Sequence, residues 1–338
     1  MTKTAIFIGR FQPLHFGHLA IIDTCMQDCE QLIMVVGSIN RARTVKNPFT
    51  FTERKILIEQ NLQAHAASYL DRTKIVGVED NPYDDVAWQT EVTAAVKKEA
   101  VHDADFYVVG HDKDESTFYL KMFPNWQFIA CDNHRGINAT DLRYAYFAER
   151  SGQRVEFLPE VSQKFLQEFK RRDFYTDLLE EYQFLASYKE SWAESPYPPI
   201  FTTVDSVVTH QDQVLLIKRK FTPGKNLWAL PGGFIEAHEW VQTGILRELR
   251  EETQLDLTDA ELSAALKNIK VFDHPSRSQI GRVITHAGLF KLTGSEPEVK
   301  AADDALECAW VALAGLTEFK DKLHDDHYFI INKMLNLN

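Results

Sequence analysis

The sequence lacks the excess of basic residues that nucleic-acid-binding proteins have. It contains 37 lysines and arginines against 49 aspartates and glutamates, and its formal net charge is -12. Because a phosphate backbone is held by basic surfaces, this balance argues against a nucleic-acid partner for the whole chain. A nucleotide-sized ligand needs only a local cluster of basic side chains, so the charge is compatible with such a ligand.

Long apolar runs are also missing. No stretch approaches the roughly 18 consecutive apolar residues of a membrane-spanning helix. The first residues, MTKTAIFIGRF, lead directly into strand-like sequence without a signal-peptide pattern. We therefore expect no membrane partner and a cytoplasmic location.

Cysteine is scarce and poorly placed for cross-links. The four cysteines are Cys25, Cys29, Cys131 and Cys308, and none of them forms a C-x-x-C pair. Cys25 and Cys29 are one helical turn apart, which fits packing better than a disulfide or a zinc site. We expect free thiols.

The length of 338 residues is sufficient for two domains with cores of their own. The proline-rich segment 195–199 cannot continue a helix and marks a boundary. Before it, apolar residues recur at helical spacing, which is typical of packing surfaces. We predict a first domain over residues 1–150, a helical connection over 151–199 and a second domain over 200–338.

Short apolar runs alternate with helical periodicity through the first 150 residues. The predicted strands are 5–8, 31–36, 74–78, 105–109 and 126–130, and the predicted helices are 18–27, 52–62, 84–99 and 140–149. This alternation indicates an α/β fold with a doubly wound parallel sheet. Such sheets bind ligands beyond the carboxyl ends of their strands, where the strand order reverses.

The loop after the first predicted strand carries an H-x-G-H motif. It reads Gly9-Arg10-Phe11-Gln12-Pro13-Leu14-His15-Phe16-Gly17-His18. Two imidazoles at the start of a helix lie beside free backbone N–H groups and a positive dipole end, which favours a polyphosphate ligand. A pair of loop histidines without a ligand is the simpler alternative if the motif is taken alone.

This motif resembles the nucleotidylyltransferase superfamily, and the longer match is to the nicotinamide mononucleotide (NMN) adenylyltransferases of archaeal type. The family's next motif is similar to residues 44–50 followed by Glu53-Arg54, and its closing motif is similar to residues 138–143, NATDLR. Ala139 departs from the usual serine or glycine. The resemblance covers nearly all of residues 1–150.

The resemblance implies that the NMN phosphate attacks the α-phosphorus of ATP, with NAD and pyrophosphate as products. His15 and His18 would donate to the α-phosphate and bridging oxygens. Arg10, Lys46 and Arg143 would bind the β and γ phosphates, with Mg²⁺ assisting. The remaining expected ligand contacts around this loop are Gly9, Phe11, Gly17 and Thr140.

Other candidates in this domain keep a structural alternative. Arg41 and Arg43 precede Lys46 and would either replace it or be solvated. The family resemblance makes Trp88 a candidate for stacking on the nicotinamide ring, with core packing as the alternative. After the fourth predicted strand, contacts to ribose or adenine are assigned to three residues, with a plain capped loop as the alternative: Gly110, His111 and Asp112.

An acidic pattern dominates residues 232–255, GGFIEAHEWVQTGILRELREETQL. If 242–253 is helical, Glu248, Glu251 and Glu252 lie at positions i, i+3 and i+4 and project from one face. Because three crowded carboxylates repel one another, this face favours a hard divalent cation, usually Mg²⁺. A solvated acidic face is the simpler alternative.

The spacing resembles the Nudix box, G-x5-E-x7-R-E-U-x-E-E-x-G-U, where U is a bulky aliphatic residue. It includes Gly233, Glu239 and Arg247, which a solvated face leaves unexplained. Gln254 stands where the family has glycine, at a helix end where a left-handed residue other than glycine costs about 1 kcal/mol. The resemblance implies Mg²⁺, or alternatively Mn²⁺, held by four residues: Gly233, Glu248, Glu251 and Glu252.

The second half suits an α+β Nudix fold, a mixed sheet between helices. Its predicted strands are 202–208, 213–219, 269–273, 282–292 and 308–313, and 327–335 is a closing helix. Arg277 and Arg282 belong to a basic segment suited to a terminal ribose phosphate or the second phosphate. Asp304 and Glu307 are candidates for the general base, with solvated loop acids as the alternative.

The fusion resembles the bifunctional NMN adenylyltransferase/Nudix proteins, whose second activity is ADP-ribose pyrophosphatase. We expect ATP, NMN, NAD and ADP-ribose as ligands, and AMP and ribose 5-phosphate as hydrolysis products. The alternatives are an ADP-ribose sensor that does not cut, a Nudix hydrolase of another nucleoside diphosphate derivative, and a first domain that uses CTP or a phosphopantetheine. The sequence leaves open the oligomeric state, the choice between NMN and its deamidated form, and the metal.

Overall fold

The computed structural model describes residues 2–111, 120–132, 136–148 and 155–337. The chain forms two compact units, Met1–Leu179 and Glu180–Asn338. The division lies within the predicted connection, residues 151–199. In the described ranges, no helix has both the length and the apolar character to cross a bilayer.

The first unit alternates strands and helices. The strands are β1 Thr2–Gly9, β2 Gln31–Val36, β3 Thr73–Gly77, β4 Ala104–Gly110 and β5 Gln127–Ala130. The helices are α1 Phe16–Asp28, α2 Phe51–His65, α3 Ala67–Asp71, α4 Asp85–Glu99, α5 Ala139–Phe147, α6 Glu160–Phe169 and α7 Tyr175–Glu190, the last of which ends in the second unit. The short helix α3 was not predicted.

All neighbouring strands of this sheet are parallel, in the order β3-β2-β1-β4-β5. The strand order reverses between β1 and β4, so the carboxyl ends of these two strands border a crevice. The predicted doubly wound parallel sheet is therefore confirmed. The loop after β1, which carries the H-x-G-H motif, leaves the sheet at this crevice.

The apolar run in β1 supplies the cores on both faces of the sheet. Ala5 and Phe7 pack into one cluster of buried side chains, and Ile6 and Ile8 pack into another. A strand buried on both faces needs such an uninterrupted run, because successive side chains point in opposite directions. Each fully buried aliphatic side chain contributes about 1.5–3 kcal/mol.

The second unit combines seven strands with three helices of its own and the end of α7. The strands are β6 Ile200–His210, β7 Gln213–Arg219, β8 Trp228–Ala229, β9 Gly232–Phe234, β10 Leu266–Phe272, β11 Arg282–Leu292 and β12 Ala305–Ala312. The helices are α8 Val241–Thr253, α9 Asp259–Ala265 and α10 His327–Leu335, with a 3-10 helix at Leu313–Lys322. Four elements were not predicted: β8, β9, α9 and the 3-10 helix.

This sheet is mixed. Five strands follow the order β10-β11-β6-β7-β12, with β8 paired to β7 and β9 to β6. The β6 and β11 strands are parallel, and the other pairs are antiparallel. The expected α+β class with a mixed sheet is confirmed.

Helix α8 carries the acidic pattern and is fixed by its apolar side. Ile245 and Leu249 are fully buried against Val204 and Phe290 of the sheet. The helix ends at Thr253, and the next residue, Gln254, has a left-handed φ of 43° and ψ of 37°, as the sequence predicts. Burial of one side of α8 leaves its carboxylates directed toward the edge of β9.

Candidate active sites

His15 and His18 lie side by side where α1 begins. Their rings are stacked, with centroids 3.6 Å apart and planes 24° from parallel. The backbone N–H of His15 donates to Nδ1 of His18 at 3.2 Å, so a neutral His18 carries its proton on Nε2. His15 is 5% exposed, and its Nδ1 has no hydrogen-bond partner among the described residues.

Both imidazoles are uncharged near neutral pH. Burial lowers the pKa of His15 to about 3, and the charge of Arg143 adds to this effect. Burial and the neighbouring His15 lower the pKa of His18 well below its ordinary value. The two rings can therefore donate hydrogen bonds to phosphate oxygens, but the positive charge at this site must come from other residues.

Close packing fixes the positions of the two rings. Phe11, with a φ of 50°, lies edge-on to His18 at a centroid distance of 4.9 Å. A Cβ on Gly17 would lie 2.9 Å from Nδ1 of His15, and a Cβ on Gly9 would lie 3.0 Å from the Phe11 ring. The glycines at positions 9 and 17 are required because a side chain there would displace these rings.

Arg143 reaches the same loop from α5. It is 4% exposed, and its Nη1 donates to the carbonyl oxygen of Gln12 at 2.7 Å, while Nη2 donates to Oγ1 of Thr140 at 3.1 Å. Burial, and then the charge of Arg10, lower its pKa to about 9. Arg143 is still a cation at neutral pH, and it holds the loop after β1 as well as adding charge.

Arg54 is a functional candidate that the sequence indicated only as part of a family motif. It is 1% exposed, and its Nη1 donates to the carbonyl oxygens of Arg10 at 2.9 Å and Gly37 at 2.7 Å. Its Nη2 donates to the carbonyl oxygen of Ser38 at 3.0 Å. Arg54 thereby joins the segments that follow β1 and β2. Burial and then Arg10 lower its pKa to about 10, so several guanidinium groups share this region.

Gln12 connects the first motif with the second. Its side chain is fully buried, and its Nε2 donates to Oδ1 of Asn47 at 3.1 Å. Its Oε1 accepts a hydrogen bond from the N–H of Phe49 at 3.0 Å. These bonds bring the segment that contains Lys46, which is half-buried, next to the loop after β1.

Arg43, the alternative to Lys46, already has an acidic partner. Its two terminal nitrogens donate to the Glu53 carboxylate at 2.8 and 2.9 Å, and its guanidinium lies 4.2 Å from the centre of the Phe174 ring. This ion pair makes Arg43 a less suitable phosphate ligand than a cation without an acidic partner would be. Arg41 is half-buried.

The candidates for the nucleoside side lie near the other strand ends. Trp88 is half-buried, packs against the core, and has its ring 6.1 Å from that of Phe123, which favours core packing. Gly110 is the last residue of β4, and the Nδ1 of His111 lies 3.1 Å from the carbonyl oxygen of Cys131. Asp112 lies outside the described residues. The nicotinamide, ribose and adenine contacts assigned to these residues stay predictions.

In the second unit, Arg247 organises the acidic residues of α8. Its Nε and Nη2 donate to the two oxygens of Glu239, both at 2.9 Å, and its Nη1 donates to Glu248 and Glu251, both at 2.9 Å. Its Nη2 also donates to the carbonyl oxygen of Phe234 at 3.1 Å. The bond to Glu239 is the main reason that the pKa of Arg247 is raised and that of Glu239 is lowered. The spacing of the glutamate and arginine in the box is explained by this bidentate pair.

Glu248 and Glu252 both face β9. Glu252 is 3% exposed and accepts a hydrogen bond from the N–H of Gly232 at 2.8 Å. A Cβ on Gly233 would lie 2.5 Å from Oε1 of Glu248. Glu251 shares the Arg247 Nη1 with Glu248, and the negative charge of Glu248 contributes to the raised pKa of Glu252.

The chemistry of these donors fits a hard divalent cation. Burial raises the pKa of Glu252 to about 8, and burial raises the pKa of Glu248 in spite of its hydrogen bond to Arg247, so a bound cation would stabilise both ionised carboxylates. Within the described ranges, no three acidic, histidine or cysteine side chains are already gathered as a metal cage. Glu248 and Glu251 point to Arg247, and a cation bound here would compete with Arg247 for them.

The two candidates for the general base, Asp304 and Glu307, have different surroundings. Asp303, with a φ of 50°, and Asp304 are exposed, and the negative charge of Asp304 contributes to the raised pKa of Glu252. Glu307 is exposed as well, and its carboxylate lies 3.8 Å from Nζ of Lys218. The charge of Asp304 therefore acts on Glu252, whereas Glu307 already has a cationic partner.

Arg277 and Arg282 occupy different environments. Arg277 is 7% exposed and donates from Nε and Nη2 to the Asp326 carboxylate at 3.0 and 2.9 Å. Arg282, the first residue of β11, is partly exposed and donates to the carbonyl oxygen of Asp273. Arg282 is accessible for the predicted substrate contact, whereas Arg277 is buried. No local pattern in the sequence indicates the pair of Arg277 with Asp326.

Taken with the fold, these geometries define two classes of enzyme in one chain. A parallel sheet with imidazoles and arginines at its switch point is the architecture of a nucleotidyltransferase, and the carboxylates of α8 against β9 are those of a Nudix hydrolase. The family model described as Cytidylyltransferase-like matches residues 6–143, and that described as NUDIX domain matches residues 200–332.

Solved structures match over both units. A bifunctional NMN adenylyltransferase/ADP ribose pyrophosphatase from Francisella tularensis is 38% identical with a TM-score of 0.94, over 100% of this chain and 99% of that chain. Another such structure from Francisella tularensis, complexed with AMP and an Mn ion, is 37% identical with a TM-score of 0.91, over 99% of each chain. A nicotinamide/nicotinic acid mononucleotide adenylyltransferase from Acinetobacter baylyi is 33% identical over 53% of this chain and 92% of its own length. The chain belongs to the family of bifunctional NMN adenylyltransferase/ADP-ribose pyrophosphatases.

Proposed function

We propose that the first unit transfers the adenylyl group of ATP to NMN, with NAD and pyrophosphate as products. The observation that carries this proposal is the group of arginines beside two uncharged imidazoles at the sheet's switch point. Arg10, Arg54 and Arg143 lie close enough for Arg10 to lower the pKa of the other two. A polyphosphate would relieve this repulsion between like charges.

In the proposed reaction a phosphate oxygen of NMN forms a bond to the α-phosphorus of ATP, and the bond from that phosphorus to the β-bridging oxygen breaks. His18 donates from Nε2 to an oxygen of the α-phosphate, and His15 donates to a neighbouring oxygen. Because both rings are neutral, they orient and stabilise charge without transferring a proton. Arg10 and Lys46 bind the leaving pyrophosphate. Arg143 fixes the loop after β1 through its hydrogen bond to Gln12. Catalysis of this kind depends on positioning and charge neutralisation.

We propose that the second unit hydrolyses ADP-ribose to AMP and ribose 5-phosphate. A water oxygen forms a bond to one phosphorus of the diphosphate, and the bond from that phosphorus to the bridging oxygen breaks. Glu248, Glu251, Glu252 and the backbone of Gly233 would hold Mg²⁺ or Mn²⁺, and a related structure is complexed with an Mn ion. The cation, when bound, neutralises the diphosphate and polarises the phosphorus. Asp304 accepts the proton of the attacking water.

Product analysis of the whole protein tests both activities. With NMN, ATP and Mg²⁺ we expect NAD and pyrophosphate, and CTP in place of ATP should give no dinucleotide. With ADP-ribose and Mg²⁺ we expect equal amounts of AMP and ribose 5-phosphate, and a chelator should stop their formation. Binding of ADP-ribose without AMP formation would contradict the hydrolase proposal and identify a sensor.

A further inference from the structure

A buried group of polar and charged side chains lies in the second unit beneath the segment that leads into β9. Arg277 binds the Asp326 carboxylate through two hydrogen bonds of 3.0 and 2.9 Å, and its Nη2 lies 3.8 Å from Oδ2 of Asp205. Oγ1 of Thr285 donates to the same Asp205 oxygen at 2.5 Å, and Nε2 of His327 lies 3.8 Å from Oδ1. All five side chains are less than a tenth exposed. They come from β6, β11, the first residue of α10 and the residue before it, and the loop between β10 and β11, so only the folded unit brings them together.

This group and Ser206, which follows Asp205 in β6, contact residues 230–232. Nδ1 of His327 accepts a hydrogen bond from the N–H of Leu230 at 2.8 Å. The carbonyl oxygen of Pro231 accepts from the N–H of Ser206 at 2.8 Å. Gly232 then donates its N–H to Glu252 at 2.8 Å, and a Cβ on Gly232 would lie 2.8 Å from Oδ1 of Asp205. Leu230, Pro231 and Gly232 therefore each form a hydrogen bond, and the bond of Gly232 is to Glu252 of the Nudix box.

We propose that Asp205, Arg277, Asp326 and His327 are positioning residues for Glu252. They fix residues 230–232 so that the Gly232 N–H stays directed at one oxygen of the Glu252 carboxylate, which would leave the other oxygen oriented to hold a metal ion. This inference rests on the proposed function of the second unit as a metal-dependent hydrolase. Groups that orient a metal ligand in this way determine metal affinity, although they do not touch the metal.

The nature of the interactions favours positioning over simple stabilisation. A buried ion pair is weak evidence for stability, because well-packed apolar side chains of similar volume often stabilise a protein as much or more. A bidentate arginine–carboxylate pair has a fixed geometry, which apolar contacts lack. Arg277 thus acts through the network beneath β9 and not by contact with the substrate, which leaves Arg282 as the candidate for that contact.

Substitutions at His327 test the proposal in the full-length protein. His327→Leu removes the acceptor for the Leu230 N–H, whereas His327→Asn places an amide oxygen near the position of Nδ1. Without nucleotide, we expect His327→Leu to weaken Mn²⁺ binding, measured by electron paramagnetic resonance, by about 10-fold or more, and His327→Asn by less than about threefold. In the metal-free protein, hydrogen exchange of the peptide around residues 228–234 should accelerate in His327→Leu and not in His327→Asn.

NAD formation by the same samples reports the amount of functional protein. An Mn²⁺ dissociation constant of His327→Leu within about twofold of the wild type, or equal weakening in both variants, overturns the proposal. If His327→Leu does not fold, Arg277→Lys tests the proposal instead, because this substitution keeps the positive charge but loses the bidentate geometry. We expect weaker Mn²⁺ binding in that folded variant, and unchanged binding overturns the proposal. Wild-type protein that binds Mn²⁺ but leaves ADP-ribose intact contradicts the hydrolase function alone, since the effect of the variants on Mn²⁺ binding is still measured.

Discussion

The stacked rings of His15 and His18 are held uncharged by the same burial that brings them to the start of α1. Their centroids are 3.6 Å apart, and the His15 ring is 5% exposed. Two protonated rings at this distance would repel each other strongly, and the positive charge of Arg143 further disfavours protonation of His15. The site therefore separates two tasks, with hydrogen-bond donation by the imidazoles and positive charge from the arginines.

The pH dependence of stability follows from the lowered pKa of His15. The pKa is about 3 in the folded protein and 6.5 as the ordinary value, so between these values the unfolded chain binds the additional proton. The free energy of unfolding should therefore fall as the pH falls from 6.5 toward 3, by up to about 1.4 kcal/mol per pH unit from His15 alone. Urea unfolding of the wild type and of His15→Gln over this range measures the difference. If the free energy of unfolding changed with pH in the same way for both proteins, His15 would not contribute to the pH dependence of stability.

The two activities should be separable by single substitutions. His18→Ala removes the Nε2 donor and should lower the rate of NAD formation by about 100- to 1000-fold, with ADP-ribose hydrolysis unchanged. His18→Gln retains a donor near the position of Nε2 and should lose less. Rates of NAD and AMP formation, measured by chromatography, decide this. A His18→Ala variant with wild-type NAD formation would remove His18 from the mechanism.

Glu252→Gln should have the opposite effect. The neutral amide loses the negative charge that the metal requires, so we expect ADP-ribose hydrolysis to fall by at least about 100-fold, with NAD formation unchanged. The change conserves the volume of the buried side chain. Persistent hydrolysis in this variant would be inconsistent with Glu252 as a metal ligand.

The general base can be assigned by comparing two acids of the same loop. Asp304→Asn should lower kcat for ADP-ribose hydrolysis by about 100-fold or more, because the proton of the attacking water loses its acceptor. Glu307→Gln is the matched control, since Glu307 pairs with Lys218 and should be nearly neutral. Steady-state rates across pH provide the measurement, and the reverse ranking would assign the role to Glu307.

Gln254 offers a test of local backbone strain. Its φ of 43° is in the left-handed region, where glycine has no steric cost. Gln254→Gly should raise the free energy of unfolding of the second unit by about 0.5–1 kcal/mol, and Gln254→Ala should leave it nearly unchanged. Chemical denaturation followed by tryptophan fluorescence measures both. Destabilisation by glycine would mean that the Gln254 side chain makes a contribution larger than the strain.

The sequence by itself determined the features that depend on local spacing. The shared face of Glu248, Glu251 and Glu252 follows from 3.6 residues per turn, and the left-handed end of α8 follows from the box pattern around Gln254. The parallel sheet of the first unit follows from alternating apolar runs and helical periods. The two features of α8 involve residues close together in the chain, and the sheet is predicted from local patterns although its strands β1 and β4 lie far apart in the chain.

Only the tertiary structure decided which polar groups are buried and with what partners. Arg143 donates to the carbonyl oxygen of a residue 131 positions away, and Arg277 binds a carboxylate 49 positions away. The same burial makes His15 and His18 neutral and raises the pKa of Glu252. Charge and partner depend on the solvent that the whole fold excludes and on contacts between distant segments, and no local pattern in the chain encodes either quantity.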